Sequence, residues 1–172
     1  KETGEAITDA EGNEITTSEI FVAEEKDGSI DITFKFDASA LAGKSLVAFE
    51  TLYTEGKEVA IHADLEDEGQ TIRIPEIHTT ATDKVTGDHD GVVAKETTVL
   101  DEVFYKNLIP GKEYTVKGTL MVKETGEALV VNGETVTAEK TFTAEEPDGS
   151  IILEFTFDSS ALAGKKIVAF ED

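Results

Sequence analysis

The 172-residue sequence contains no cysteine, and it has little proline and little basic charge. Without cysteine no disulfide can hold the fold together, so stability must come from core packing, a metal or another kind of bond. Only 15 basic residues stand against 37 acidic ones, which gives a formal net charge of −22. Nucleic acids and anionic membranes are bound by basic surfaces, so this balance argues against both as partners.

The sequence also lacks a long apolar run and a targeting signal. No segment approaches the roughly 20 apolar residues that a membrane-spanning helix needs, so we expect no membrane insertion in this segment. No basic stretch followed by an apolar one opens the chain, as it would in a signal peptide. Neither Lys1 nor Asp172 resembles a natural terminus, and we expect the chain to be a piece of a longer protein.

Catalytic and metal-binding signatures are missing as well. The chain has no glycine-rich phosphate loop, no zinc-protease motif and no serine-hydrolase motif. Its three histidines are too scattered for a zinc cluster, and we expect no cofactor. Asp83, Asp88 and Asp90 lie close in sequence, but they lack the spacing and the closing glutamate of a calcium loop. We interpret them as a solvated acidic turn.

A long internal repeat is the main feature that is present. Residues 1–50 return as residues 123–172 with an offset of 121 to 122 residues. Lys1–Ala6 recurs unchanged as Lys123–Ala128, and Val47–Glu50 recurs as Val168–Glu171. The segment 51–122 occurs once. We therefore interpret residues 1–74 as the C-terminal part of one repeat, and residues 75–172 as the N-terminal and central part of the next.

Alternation of apolar and polar residues predicts strands throughout the chain. Ile30 to Phe36 and its repeat Ile151 to Phe157 each present one apolar face. Turn dipeptides such as Asp-Gly and Asn-Gly separate the segments, and short strands at this spacing predict an all-β, immunoglobulin-like β-sandwich. A brief helical turn is expected at 39–43 and again at 160–164. Further strands are predicted at 46–52, 59–65, 71–74, 99–105 and 113–122.

His62 has a definite place in one of these strands. In the predicted strand 59–65, Val59 and Ile61 share one face, which places His62 on the other. Taken alone, such a histidine is more often a surface or interface residue than a catalyst. Gln70 downstream is, by the same reasoning, simply polar.

The ordered motifs of the chain resemble one known family. Val47–Glu50, followed by His62-Ala63-Asp64 and Gln70-Thr71, resembles the end of a VaFE-type repeat, and Pro75–Ala81 resembles the beginning of one. These repeats are the Thr–Gln ester-bond domains of Gram-positive surface adhesins. The resemblance extends over essentially the whole chain. It implies a CnaB-like sandwich and an extracellular, cell-wall-anchored protein, with the anchor and signal peptide outside this segment.

The resemblance also implies a self-catalysed bond between a threonine hydroxyl and a glutamine side-chain amide, with loss of ammonia. Thr79 is favoured over Thr80 as the nucleophile because it shares strand parity with Ile77 and Ala81. The resemblance implies that Thr79 is the nucleophile, Gln70 the acyl donor and His62 the base. It implies that Asp101, together with Glu50 or Glu171, forms the acidic pair that orients the site.

The six implied site residues are divided between the two repeats. Glu50, His62 and Gln70 belong to the first repeat, and Thr79, Asp101 and Glu171 to the second. Only eight residues separate Gln70 from Thr79, whereas parallel neighbouring strands need a connection of about a dozen or more. A bond within the chain is therefore not expected. Three alternatives remain: strand exchange with another copy, completion by parts of a longer protein, or no link. We favour the second.

The sequence thus predicts a structural stalk or spacer segment of a cell-surface adhesin and not an enzyme. Any catalysis would be a single self-modifying turnover, and the partners would be neighbouring repeats. An alternative is a ligand-binding adhesin module without a cross-link, in which a loop such as 87–91 contacts a host molecule of unknown identity. A Thr/His/Asp hydrolase finds no other support in the sequence.

Overall fold

A computed structural model describes residues 1–171 and divides the chain into two compact units, Lys1–Ile74 and Pro75–Asp172. Their assignment as parts of successive repeats stays a prediction. Within the described residues, no helix has the length and apolar character needed to cross a membrane. The strands are β1 (Ser45–Val47), β2 (Glu50–Thr54), β3 (Lys57–His62), β4 (Thr71–Arg73), β5 (Glu76–Asp83), β6 (Thr97–Lys106), β7 (Glu113–Val122), β8 (Glu127–Ala128), β9 (Val130–Val131), β10 (Glu134–Thr135), β11 (Thr137–Thr143), β12 (Gly149–Phe157) and β13 (Ile167–Glu171).

The second unit is an immunoglobulin-like sandwich of antiparallel sheets, which confirms the predicted fold class. One sheet has the strand order β12-β6-β5, and the other has the order β11-β7-β13 with β8 beside β7. Val103, Leu120, Leu153 and Phe155 are buried where the two sheets meet. Gly118 in β7 leaves room for this packing, since a Cβ atom there would lie 2.6 Å from Phe155 Cζ.

The first unit contains fewer paired strands. β1 pairs with β4 and β2 pairs with β3, both antiparallel, and Thr8 forms an isolated bridge with Glu14. The strand predicted for Ile30 to Phe36 is absent, so that prediction is wrong here, although its repeat counterpart forms β12. Phe34 and Phe36 are each 36% exposed in the first unit.

Missing partner strands explain the difference between the two copies. β12 pairs along its whole length with β6, and β11 pairs with β7. Both partners lie in the segment 51–122 that occurs once, so the first unit has no counterpart of either. A segment of alternating apolar and polar residues forms a stable strand only when a neighbouring strand and a surface to pack against are available. The same sequence pattern therefore gives a strand in one unit and no strand in the other.

Other local predictions were partly right. The predicted strand 46–52 divides into β1, which ends at Val47, and β2, which begins at Glu50. β3 ends at His62, and Ile61 is 61% exposed, so the apolar face predicted for this strand is not buried. The predicted helical turn forms at Ser39–Leu41, whereas the one predicted at 160–164 does not form a helix.

The acidic loop after β5 is more ordered than expected. Asp83 is buried, and its Oδ1 accepts hydrogen bonds from the backbone N–H groups of Thr86 (3.0 Å) and Val85 (2.8 Å). These N–H groups, that of Thr86 first, hold the pKa of Asp83 below its ordinary value. Asp88 and Asp90 are exposed. The interpretation as a solvated turn is therefore wrong for Asp83, which organises the loop.

Candidate functional site

Three of the predicted site residues come together in the first unit. The pairing of β2 with β3 places Glu50 directly opposite His62. Gln70 ends a short 3-10 turn, Glu68–Gln70, and its backbone oxygen accepts a hydrogen bond of 3.2 Å from the N–H of Ala48. Its side-chain Nε2 donates a hydrogen bond to Oε2 of Glu50. Glu50 therefore lies between the histidine and the glutamine.

The side-chain carbonyl of Gln70 is left without a hydrogen bond. Its Oε1 atom is buried and has no partner among the described residues. Buried polar atoms are normally paired, so this one calls for an explanation. Oε1 is also the atom on which negative charge develops when a nucleophile attacks the amide, and such an atom needs a donor. The first unit holds the amide nitrogen in place and supplies no donor to its oxygen.

Asp67 is a site residue that the sequence analysis did not single out. Its Oδ2 lies 2.9 Å from Nε2 of His62, and its Oδ1 accepts a hydrogen bond of 2.7 Å from the N–H of Gly69. One carboxylate therefore orients the imidazole and also caps the turn that carries Gln70. The signal was weak, because Asp67 is one of three adjacent acids at 66–68 and only its place in the turn distinguishes it.

Thr79 lies on β5, at the edge of its sheet in the second unit. It pairs in register with Val103 of β6 and is half-buried, whereas Thr80 is exposed. The burial of Thr79 and Ala81 agrees with the predicted parity, but Ile77, which shares their face of the strand, is 42% exposed. The role of Thr79 as nucleophile stays a prediction.

Asp101 is the most deeply buried acidic side chain described in the second unit. It is 0% exposed and lies on β6 between Ala81 of β5 and Leu153 of β12. Neither carboxylate oxygen has a hydrogen-bond partner within residues 1–171. Burial of a carboxylate without a partner is costly, so folding alone gives no reason for an aspartate at this position. Ala81 is two residues beyond Thr79 on the same strand, which brings the carboxylate to the face that carries the threonine hydroxyl.

Glu171 lies on the sheet opposite to that of Asp101, at the same level along the sandwich. It ends β13 and pairs in register with Gly118 of β7. A Cβ atom on Gly118 would lie 3.0 Å from Cδ1 of Leu153, which is the register partner of Asp101. Glu171 is the repeat counterpart of Glu50. Each unit therefore carries one carboxylate from the Val-Ala-Phe-Glu motif, the first beside a glutamine and the second in the layer that contains Asp101.

Comparison with known families gives one family model, which matches each unit separately. The family model described as "T-Q ester bond containing domain" matches residues 1–74 and, separately, residues 75–172. A search of curated proteins found no match.

Proposed function

The chain belongs to the family of T-Q ester bond containing domains. We propose that Thr79 and Gln70 each form an ester bond inside their own repeat of a surface protein. Domains of this family are cross-linked modules of surface proteins. One ester would join Thr79 to the glutamine that ends the second repeat. The other would join Gln70 to the threonine that begins the first repeat.

The proposed reaction is an acyl transfer within one repeat. The Oγ1 atom of the threonine attacks Cδ of the glutamine, so that an Oγ1–Cδ bond forms and the Cδ–Nε2 bond breaks. The hydroxyl proton passes to the departing nitrogen, which leaves as ammonia. A threonine hydroxyl is a weak nucleophile and needs an adjacent base. His62 is the proposed base. Oδ2 of Asp67 lies 2.9 Å from Nε2 of His62 and orients the ring.

The observation that supports the proposal most is the pair of buried groups without partners. Oε1 of Gln70 lacks a donor in the first unit, and the carboxyl group of Asp101 has no partner among residues 75–171 of the second. In a complete repeat, Asp101 would lie beside the counterpart of Gln70. In its protonated form that carboxyl group would donate a hydrogen bond to the amide oxygen and stabilise the charge that develops there. Each buried group would then have a partner.

The biological role that we propose is a stalk or spacer of a Gram-positive, cell-wall-anchored adhesin. Internal esters replace the disulfides that the cysteine-free sequence cannot form. The bond forms once in each repeat, so the chain acts on itself and is not an enzyme. Neighbouring repeats of the same stalk are its partners.

The proposal is tested by completing one repeat within a single polypeptide. Asp172 occupies the repeat position of Thr51, so a second copy of residues 52–74 appended after Asp172 supplies the missing histidine and glutamine. We call this protein the extended chain. We expect its intact mass to be lower than the sequence mass by one ammonia, about 17 Da, because a single nucleophile meets a single acyl donor.

The matched control is the same extension with the appended counterpart of Gln70 replaced by glutamate, whose carboxylate is a poor acyl donor. This variant should keep its full sequence mass. An extended chain that folds and also keeps its full mass would contradict the proposed function.

Replacement of Asp101 by leucine should separate stability from chemistry. In the original chain we expect the free energy of unfolding at neutral pH to rise by about 1 kcal/mol, because leucine leaves no polar atom buried without a partner. In the extended chain the same Asp101→Leu substitution removes the hydrogen-bond donor for the amide oxygen and should prevent the loss of ammonia. Chemical denaturation measures the first effect and intact mass the second. A variant that is destabilised and still forms the bond would assign Asp101 a purely structural role.

A further inference from the structure

The backbone groups of β5 alternate between two sides of the strand. The N–H of Lys84, directly after the strand, donates to the carbonyl oxygen of Thr98 at 2.9 Å, so it faces β6. Because backbone groups alternate in direction along a strand, those of Asp83, Ala81 and Thr79 face away from β6. We call this side the outer edge of β5. Thr79 therefore presents its backbone groups at the outer edge, two residues before Ala81.

The loop that follows β5 folds back over the end of this outer edge. The N–H of Asp83 donates to the carbonyl oxygen of Asp88 at 2.8 Å, and the carbonyl oxygen of Asp83 accepts the N–H of Gly87 at 2.8 Å. His89 then reaches Ala81, whose carbonyl oxygen lies 2.8 Å from Nδ1 of the imidazole. Since a carbonyl oxygen only accepts, Nδ1 is the donor in this contact. The loop thus engages both backbone groups of Asp83 and the carbonyl group of Ala81.

Hydrogen bonds to buried side chains anchor both ends of this loop. At its start, the carboxylate that ends β5 accepts the backbone N–H groups described above. At its end, the hydroxyl of Ser159 accepts the N–H of Ala94 at 3.0 Å and lies 2.6 Å from the hydroxyl of Thr97, and both hydroxyl side chains are buried. Thr97 donates in turn to the carbonyl oxygen of Val92 at 3.2 Å. His89 is therefore carried by a loop that the second unit itself holds in place.

The position of a neighbouring strand along β5 decides whether the ester can form. The ester requires the strand that carries the glutamine to lie against Thr79, and on the β6 side Thr79 already pairs with Val103. We therefore expect that strand along the outer edge. A shift of two residues keeps every side chain on the same face, so apolar patterning alone does not exclude it. Shifted by two residues toward Asp83, the glutamine would lie beside Ala81, which has no hydroxyl group.

We propose that His89 is a positioning residue for the ester bond, and that it stops the glutamine-carrying strand at Thr79 by occupying the carbonyl oxygen of Ala81. A strand shifted further along β5 would have to displace the imidazole and break the hydrogen bond that it makes. This role rests on the proposed function. It also gives residues 87–91 a task within their own repeat that involves no host molecule.

Replacement of His89 by alanine in the extended chain tests this role. The side chain is exposed, so the second unit should still fold. After refolding from denaturant, intact mass should show complete loss of ammonia in the unsubstituted extended chain. The His89→Ala variant should leave a folded fraction at full sequence mass, because loss of one hydrogen bond lowers the preference for the reactive register by about fivefold. A second cycle of unfolding and refolding should convert part of that fraction, since the register forms anew.

Two further variants of the extended chain distinguish positioning from a general effect on folding. His89→Asn places an amide N–H donor where Nδ1 lies, and it should restore complete loss of ammonia. His78→Ala is the matched control. His78 is also an exposed histidine of the second unit, but its ring stacks on Phe104 at 4.9 Å and does not contact the outer edge, so this variant should react completely.

The outcomes separate the role of His89 from the proposed function. If His89→Ala loses its ammonia completely, the register stop is overturned and the proposed function stands. The same conclusion follows if His89→Asn or His78→Ala leaves an unreacted fraction as large as that of His89→Ala. If the unsubstituted extended chain folds and keeps its full mass, the proposed function fails, and the role of His89 fails with it.

Discussion

Replacing Thr79 by valine in the extended chain is expected to abolish ester formation completely. Valine keeps the β-branched shape that suits strand β5 and removes only the hydroxyl oxygen. Intact mass should change from complete loss of one ammonia to no loss. The free energy of unfolding should fall by on the order of 4 kcal/mol, because the cross-link would close a loop of about a hundred residues in the unfolded state.

Thr80→Val is the matched control for this substitution. Thr80 is exposed and lies on the opposite face of β5 from Thr79. The Thr80 variant should lose ammonia normally and keep the stability of the linked protein. If Thr80→Val abolishes the bond and Thr79→Val does not, the inward-facing hydroxyl has been assigned to the wrong residue.

Replacing the appended counterpart of His62 by alanine in the extended chain is expected to slow ester formation by about 10²- to 10⁴-fold. The imidazole is the base that removes the proton from the threonine hydroxyl. Refolding from denaturant followed by timed intact mass measurement gives the rate. An alanine variant that forms the ester at the rate of the unsubstituted protein would rule out the imidazole as the base.

Asp67→Asn in the appended segment distinguishes a role in orienting the histidine from a role in folding. Asparagine still accepts the N–H of Gly69 through its side-chain oxygen, so the turn before the glutamine should persist. It no longer supplies the carboxylate that lies 2.9 Å from the imidazole in the first unit. We expect a lower rate with little change in unfolding free energy. An unchanged rate would show that the contact between Asp67 and His62 has no catalytic role.

The fold class was readable from the sequence because alternation and turn dipeptides are local signals. The strand predicted at Ile151 to Phe157 forms, and the one predicted from the corresponding pattern at Ile30 to Phe36 does not. Phe155 is fully buried, while its counterpart Phe34 is 36% exposed. Periodicity shows which face of a segment is apolar. It does not show whether the partner strand is present, and β6 occurs once in this chain.

The site was less accessible to sequence reasoning than the fold. The resemblance identified Gln70 and Glu50, whose hydrogen bond then appears in the structure. Asp67 was missed because a turn, and not a strand period, brings it back to His62. Asp83 was misread because its hydrogen bonds to backbone N–H groups depend on the path of a loop that no residue pattern predicts.

The most direct test of the central claim is peptide mapping of the extended chain after trypsin. Cleavage at lysine and arginine releases Thr79 in the peptide 74–84, and the appended glutamine in the counterpart of the peptide 58–73. The ester predicts one branched peptide with the summed mass of the two less about 17 Da, which mild base separates. Recovery of peptide 74–84 only in its linear form, from a folded extended chain, would contradict the account.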